Sequence, residues 1–258
     1  MIPYILVGLG FISLCFFLFK RDKKGSIIAI GLKALTSMFF IATAIFSLIE
    51  NITSRDTLTY YSILPLFLLL LGLIFGMVGD ILLDFKIYFK TLNMRYLALE
   101  NDHDILMITG MGAFGIGHIS YIIGSLLLDN SLWLKLIISF IIGALAIFLI
   151  MLISIKIMKM TFRKFLIPVI IYGFLLSSFI AFSLFRIVNH YDKASLLIII
   201  GSVLFIVSDL ILSITYFSKE EDYKKEGFLN PESRFMIVSN HITYYAAQFL
   251  IALAILFI

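Results

Sequence analysis

Eight long apolar stretches constrain what this chain can fold into. Each is long enough to cross the hydrocarbon core of a bilayer, which is about 30 Å thick and needs about 20 helical residues. With 62% hydrophobic and 14% charged residues, the 258-residue chain has too little polar material to coat a soluble globule. The sequence therefore predicts an all-α, polytopic integral membrane protein, a single transmembrane domain of residues 1–258, with an eight-helix bundle spanning about 2–19, 26–49, 62–85, 105–128, 132–155, 165–185, 195–217 and 235–257.

Lysine and arginine are distributed unevenly between the connections, which predicts the orientation of the bundle. The first, third, fifth and seventh connections hold fifteen of the twenty Lys and Arg residues, and the other connections hold four. Because positively charged loops stay in the cytoplasm, both termini are expected to be non-cytoplasmic. The net charge of +4 then reflects topology and anionic lipid, and no nucleic-acid partner is predicted.

Three charged residues, Asp80, Asp209 and Lys33, lie well inside the apolar stretches, while Asp84 lies at the very end of one. A charged side chain at the centre of a spanning helix costs about 2.5–3.5 kcal/mol, so such residues are expected to be functional. At 1.5 Å of rise per residue, they lie about 9, 15 and 14 Å inward from the nearest cytoplasmic charge. His241 and Tyr244 fall at a similar depth of about 10–15 Å. The sequence thus predicts one polar layer in the cytoplasmic third of the membrane.

Helical spacing extends this layer. Gly72, Gly76, Asp80 and Asp84 follow a four-residue step along one face, so small residues that admit a neighbouring helix lead to the carboxylates. Other helices place polar side chains together on one face: Ser202 with Asp209, Tyr244 with Gln248, and His118 with Tyr121.

Structural roles compete with functional ones at three of these positions. Asp84 is two residues from Lys86, so it is expected to be interfacial rather than catalytic. His118 lies about 20 Å in from Asp104 and is equally well explained as a hydrogen-bonded core histidine. Lys33 has a stem long enough to snorkel to the interface.

Two buried carboxyl groups beside a lysine suit acid/base hydrolysis. Burial favours the protonated form of one carboxyl, while a neighbouring cation keeps the other ionised. The sequence has no serine-hydrolase elbow, zinc-protease helix or phosphate-binding loop of the familiar patterns. The four histidines lie at mismatched depths and Cys15 is the only cysteine, so no metal site and no cofactor are predicted.

Four segments in order along the chain resemble the YhhN-like membrane proteins, a family of eight-helix proteins that includes the lysoplasmalogenases. They are GDILL at 79–83, MGAFGIGHISY at 111–121, GSVLFIVSDLIL at 201–212 and TYYAAQFLI at 243–251, with Lys33 early in the second helix. The resemblance implies hydrolysis of the vinyl ether bond of lysoplasmalogens to a fatty aldehyde and glycerophospho-ethanolamine or glycerophospho-choline. The family's two motif aspartates fall on Asp80 and Asp209.

The favoured interpretation is a lysoplasmalogenase-type enzyme whose site opens toward the cytoplasm, with a lysophospholipid and the bilayer as partners. Asp80 and Asp209 are the predicted catalytic acid and base, in an order that the sequence leaves open. The residues predicted to bind substrate or position water are Lys33, His118, Tyr121, Ser202, His241, Tyr244 and Gln248. Two alternatives stay open: hydrolysis or isomerisation of another lysolipid, and a proton-coupled lipid transporter or scaffold using the same charges. Headgroup preference, oligomeric state and a lid role for the loop at 88–104 also stay open.

Overall fold

The computed structural model describes residues 1–21, 26–55, 60–93, 102–128, 133–219, 221–228 and 230–258. Within these ranges every regular element is helical, and eight helices are long and apolar enough to cross a membrane, as predicted. They indicate an integral multi-pass membrane protein. The helices are α1 (Ile2–Lys20), α2 (Ile27–Thr53), α3 (Tyr60–Asn93), α4 (Asp102–Leu127), α5 (Trp133–Leu152), α6 (Leu166–Asn189), α7 (Lys193–Phe217) and α8 (Arg234–Ala254).

The third helix is longer than the sequence predicted. The apolar stretch ends at Phe85, but α3 continues through the polar residues that follow to Asn93. Hydropathy marks the end of an apolar segment and not the end of a helix. A prediction from hydropathy therefore underestimates the length of a helix that continues out of the membrane. Residues 94–101, in the middle of the loop at 88–104 whose lid role the sequence leaves open, lie outside the described residues.

Side-chain caps fix the starts of the last two helices. Asp192 precedes α7, and its Oδ1 accepts a hydrogen bond of 2.7 Å from the backbone N–H of Ser195. Ser233 precedes α8 in the same way and accepts from the N–H of Met236. Each cap satisfies one of the backbone donors that a helix start leaves free. These caps begin the two helices that carry Asp209 and the tyrosines of α8.

Glycines allow α3 and α4 to pack with their backbones close together. A Cβ placed at Gly79 would lie 2.9 Å from the carbonyl oxygen of Gly110, and one at Gly72 would lie 2.3 Å from the ring of Tyr121. A Cβ at Gly76 would lie 2.6 Å from Nε2 of Gln248 on α8. The small residues predicted to admit neighbouring helices therefore do so, on the face of α3 that leads to Asp80.

The eighth helix runs through the middle of the bundle and contacts α1, α2, α3 and α7. At its start, the guanidinium of Arg234 donates to the carbonyl oxygens of Leu18, in the last turn of α1, and of Arg21, which directly follows α1. This contact joins the first and seventh connections at one end of the bundle, called here the basic end. Because successive helices alternate in direction, the other lysine- and arginine-rich connections lie at this end too. That it faces the cytoplasm stays a prediction.

Candidate functional site

A buried ion-pair cluster lies near the basic end between α2 and α3. The ammonium of Lys33 is 2.7 Å from Oδ1 of Asp80 and 3.2 Å from Oδ1 of Asp84. It also donates to the backbone carbonyl of Asp80 at 3.2 Å. Lys33 is only 2% exposed, so it turns into the bundle and does not snorkel to the interface. Its three donors all have acceptors, which fits a lysine that is held charged inside the protein.

Asp84 corrects one expectation from the sequence. It was expected at the interface because Lys86 follows closely, but it is 2% exposed and joins the cluster. Its Oδ1 accepts from Lys33 and also from Nη2 of Arg21, at 3.2 Å in each case. Arg21 was counted only as a loop charge, yet it is 7% exposed. The four-residue step from Asp80 was the signal for Asp84, whereas nothing in the spacing of Arg21 indicated its partner.

Tyr245 on α8 completes the surroundings of Asp80. Its hydroxyl lies 3.1 Å from Oδ2 of Asp80, 3.1 Å from the carbonyl oxygen of Lys33 and 3.2 Å from Oγ of Ser37. A phenol has one proton to donate, and an ionised carboxylate is the stronger acceptor, so Tyr245 is best placed to donate to Asp80 while Ser37 donates to it. Both oxygens of Asp80 are then engaged.

Asp209 on α7 has different surroundings. Its Oδ2 accepts a hydrogen bond from the hydroxyl of Tyr172 on α6. That hydroxyl is 3.4 Å from Nε2 of His118, and the two rings stack with centroids 5.5 Å apart. Among the described residues, no Lys or Arg nitrogen lies within 4.0 Å of Asp209. Asp80 is thus paired with a cation and Asp209 with a neutral phenol.

Asp80 and Asp209 line one pocket, called here the charged pocket, which holds about 580 Å³ when it is counted out to its mouth. Of the residues that the sequence placed in one layer, all five line it: Lys33, Asp80, Asp209, His241 and Tyr244. Its other polar or charged lining residues are Arg21, Asp84, Ser208, Thr215, Tyr216 and Asn240. Polar side chains from α2, α3, α7 and α8, and from Arg21 just after α1, therefore converge on one space, as their estimated depths in the membrane indicated.

A second pocket, called here the apolar pocket, adjoins the first. It holds about 810 Å³, counted out to its mouth, and its lining includes Met107, Met111, Ile147, Met151, Val169, Leu176, Ile206 and Phe217. Five residues line both pockets: Leu83, Phe114, Asp209, Leu212 and Tyr216. Asp209 is the only carboxylate among these five, so it marks the boundary between the polar and apolar spaces.

The remaining predicted substrate-binding residues are buried behind these pockets and line neither of them. The hydroxyl of Tyr121 donates to Oε1 of Gln248 at 3.2 Å, and His118 supports Tyr172. Ser202 donates to the carbonyl of Ile199 within its own helix. The geometry gives His118, Tyr121 and Gln248 supporting contacts, and it gives Ser202 no contact with the pocket.

Several residues of the site were missed by sequence reasoning. Arg21 and Tyr245 contact the two aspartates of α3, Tyr172 contacts Asp209, and Asn240 accepts from Ser208 at 2.8 Å beside the charged pocket. Tyr245 is adjacent to the predicted Tyr244, which was its only signal. Within the part of the chain that the structure describes, no group of three or more His, Cys, Asp or Glu side chains is arranged to hold a metal ion.

The fold and the site together define a class of protein: a multi-pass membrane protein whose helical bundle contains buried carboxyl groups that are ion-paired or hydrogen-bonded to tyrosines. The chain belongs to the YhhN family, whose sequence model matches residues 28–255, most of the chain. The resemblance drawn from the four motifs is therefore confirmed. The match begins after α1, so Arg21 lies outside it. No curated protein and no solved structure matches the chain.

Proposed function

We propose that the protein is a lysoplasmalogenase-type hydrolase that cleaves the vinyl ether bond of lysoplasmalogens. The observation that carries the proposal is the position of Asp209, which lines both the charged and the apolar pocket. A lysoplasmalogen has its vinyl ether between an apolar chain and a polar head. With the chain in the apolar pocket and the head in the charged pocket, this bond lies beside Asp209. Membership of a family that includes such hydrolases supports the same conclusion.

Asp209 is assigned as the general acid. It borders an apolar space and no Lys or Arg of the described residues pairs with it, and both features favour a neutral carboxyl group. Tyr172 donates to Oδ2, which leaves Oδ1 to carry a proton toward the substrate. A neutral carboxylic acid at this boundary is suited to protonate a carbon–carbon double bond.

Asp80 is assigned as the anion. Lys33 at 2.7 Å and the Tyr245 hydroxyl at 3.1 Å both stabilise its charged form. Each carboxylate oxygen has more than one lone pair, so Asp80 retains acceptor capacity for a water molecule after these contacts are made. Its negative charge in the pocket also stabilises a cation formed on the substrate.

The reaction then balances in three steps. Asp209 protonates the β-carbon of the vinyl ether, which forms an oxocarbenium ion at the carbon bound to oxygen. Water adds to that carbon and loses a proton to Asp80, giving a hemiacetal. In the collapse the hemiacetal hydroxyl loses its proton and the glycerol oxygen gains one, which gives a fatty aldehyde and glycerophospho-ethanolamine or glycerophospho-choline. Transfer of the proton from Asp80 back to Asp209, through water, restores the starting state. The demand for one acid, one anion and an oxocarbenium-like state parallels glycoside hydrolysis.

The test is an aldehyde assay on the protein purified in detergent. Lysoplasmalogen is supplied alongside the lysolipid whose ether is saturated, because the saturated ether has no double bond to protonate. Aldehyde from the vinyl ether alone is the expected result. No aldehyde from either lipid would overturn the proposal, and release of a different product would favour another lipid reaction.

Variants test the two aspartates. Asp80→Asn and Asp209→Asn keep the side-chain shape but remove the acid/base function, so each is expected to lower the rate by about 10²–10⁴-fold. Asp192→Asn is the matched control, since this aspartate caps α7 at the opposite end of the bundle and lines neither pocket. Normal rates in both site variants would refute the acid/base pair. A transporter that uses the same charges would release no aldehyde, so these substitutions would change transport and not hydrolysis.

A further inference from the structure

Arg21 is a buried cation whose hydrogen bonds are incompletely satisfied within the protein. It is 7% exposed and lines the charged pocket. Its Nη2 donates to Asp84, while its Nε and Nη1 are buried and have no hydrogen-bond partner among the described residues. Buried polar groups almost always have partners, so two unpartnered nitrogens on one guanidinium point to a ligand or water that is bound here.

The charge of Arg21 is also only partly compensated. Among the described residues its one acidic partner is Oδ1 of Asp84, which is shared with Lys33 at the same distance of 3.2 Å. Arg234 lies next to it and donates to the backbone carbonyls of Leu18 and Arg21. No carboxylate lies within 4.0 Å of Arg234 in the described part of the chain. Among the described residues, the end of α1 therefore carries excess positive charge beside the pocket.

We infer that Arg21 forms a phosphate-binding subsite of the charged pocket. A guanidinium presents its donors in a planar fork that matches two oxygens of a phosphate, and such pairs are strong because both partners are charged. Nη2 forms one two-donor edge of the guanidinium with Nε and another with Nη1, and Asp84 accepts from only one of its two N–H groups. The edge that Asp84 leaves free can therefore bind two phosphate oxygens, and the remaining unpartnered nitrogen can bind a further acceptor. The ligand of this subsite is the phosphodiester of a lysophospholipid headgroup. Only the identity of that lipid rests on the proposed function.

Binding measurements separate this inference from the hydrolase proposal, because they need no turnover. The probes are two uncleavable ether lipids with the same chain: 1-O-hexadecyl-glycero-3-phosphoethanolamine and 1-O-hexadecylglycerol, which lacks the phosphate. Since the chains are identical, partition into detergent micelles contributes similarly to both. The wild-type protein in a phosphate-free detergent is expected to bind the phospholipid more tightly. Equal affinity for the two lipids would overturn the inference, whether or not the protein releases aldehyde.

The decisive variant is Arg21→Gln. Loss of a charge-assisted hydrogen-bond pair is expected to weaken phospholipid binding by about 10- to 100-fold and to leave the phosphate-free lipid within about twofold. Arg21→Lys keeps the charge but not the fork, so an intermediate loss is expected. Equal weakening of both lipids would show that Arg21 is only a structural partner of Asp84, and would refute the subsite. If Arg21→Gln does not fold, the comparison of wild type with Arg21→Lys carries the same test.

Arg186→Gln is the matched control. Arg186 is also a buried arginine beside an aspartate, Asp192, but it lies at the end of the bundle opposite Arg21. Its loss is expected to leave the preference for the phospholipid unchanged, and an equal loss of preference would refute the inference.

Competition with inorganic phosphate is the last experiment. Displacement of the lysolipid by phosphate from wild type but not from Arg21→Gln supports phosphate recognition. Free phosphate that binds as tightly as the lysolipid would assign the site to a free anion.

Discussion

Removal of the Lys33 ammonium tests whether the two α3 aspartates depend on one cation. Lys33→Met keeps an unbranched stem of similar length but removes the donor that lies 2.7 Å from Asp80 and 3.2 Å from Asp84. Two buried carboxylates then lie close together, and Arg21 is the one other cation that pairs with either of them in the described part of the chain. Breaking a buried ion pair by removing one partner typically costs about 3–5 kcal/mol, and a loss of this size is expected in the free energy of unfolding.

The assay is reversible unfolding in mixed micelles of maltoside and dodecyl sulfate, followed by circular dichroism. The double variant Lys33→Met/Asp80→Asn removes the charge that the single variant leaves unpaired, so about 2 kcal/mol or more of the loss is expected to return. Lys193→Met is the control, because Lys193 is exposed at the opposite end of the bundle and its ammonium lies over the ring of Phe257, a contact whose loss is expected to cost no more than about 1 kcal/mol. A loss of less than about 1 kcal/mol in Lys33→Met would refute the argument, since the pair would then behave like one exposed to water.

Three further changes test other contacts. Tyr172→Phe keeps the ring but removes the donor to the proposed acid, so kcat for aldehyde release is expected to fall about tenfold with KM unchanged; a change in KM alone would contradict this role. Gly79→Ala puts a methyl group 2.9 Å from the carbonyl of Gly110 and is expected to destabilise by about 1–3 kcal/mol in the same unfolding assay, whereas Gly8→Ala, with open space around it, is expected to be neutral. Asp84→Asn keeps an oxygen for both neighbouring cations but removes its charge, so binding of the phosphoethanolamine ether lipid is expected to tighten several-fold; weaker binding would contradict the phosphate subsite.

The number of helices and the depth of the polar layer were predictable from sequence for simple physical reasons. A bilayer fixes the length of an apolar span, so eight runs gave eight helices. A fixed rise per residue converts sequence separation into depth, which is why Lys33, Asp80 and Asp209 were placed at similar levels and line one pocket. Depth along the membrane normal can therefore be estimated for each helix from its own sequence, without knowing its neighbours.

Contacts across helices were not predictable in the same way. Depth leaves the rotation and the neighbours of each helix undetermined, so Tyr245 and Tyr172 gave no sign that they bond Asp80 and Asp209. Asp84 also shows that the rotation of a helix is not given by its neighbours in sequence. Its sequence neighbour Lys86 indicated an interface, but its four-residue step from Asp80 turned it into the bundle, toward Lys33. Where a helix continues past the membrane, nearness to a charge in sequence does not mean nearness to water.

The first helix belongs to the site although the family match begins after it. Arg234, at the start of α8, holds the carbonyl oxygens at the end of α1. This contact fixes the position of the Arg21 backbone, and the Arg21 side chain then reaches Asp84 on α3. Because Asp84 also accepts from Lys33, the charges of α1, α2 and α3 form one connected network around the proposed base. A change in α1 is therefore expected to alter the charged pocket through Asp84, and α1 cannot be treated as a membrane anchor alone.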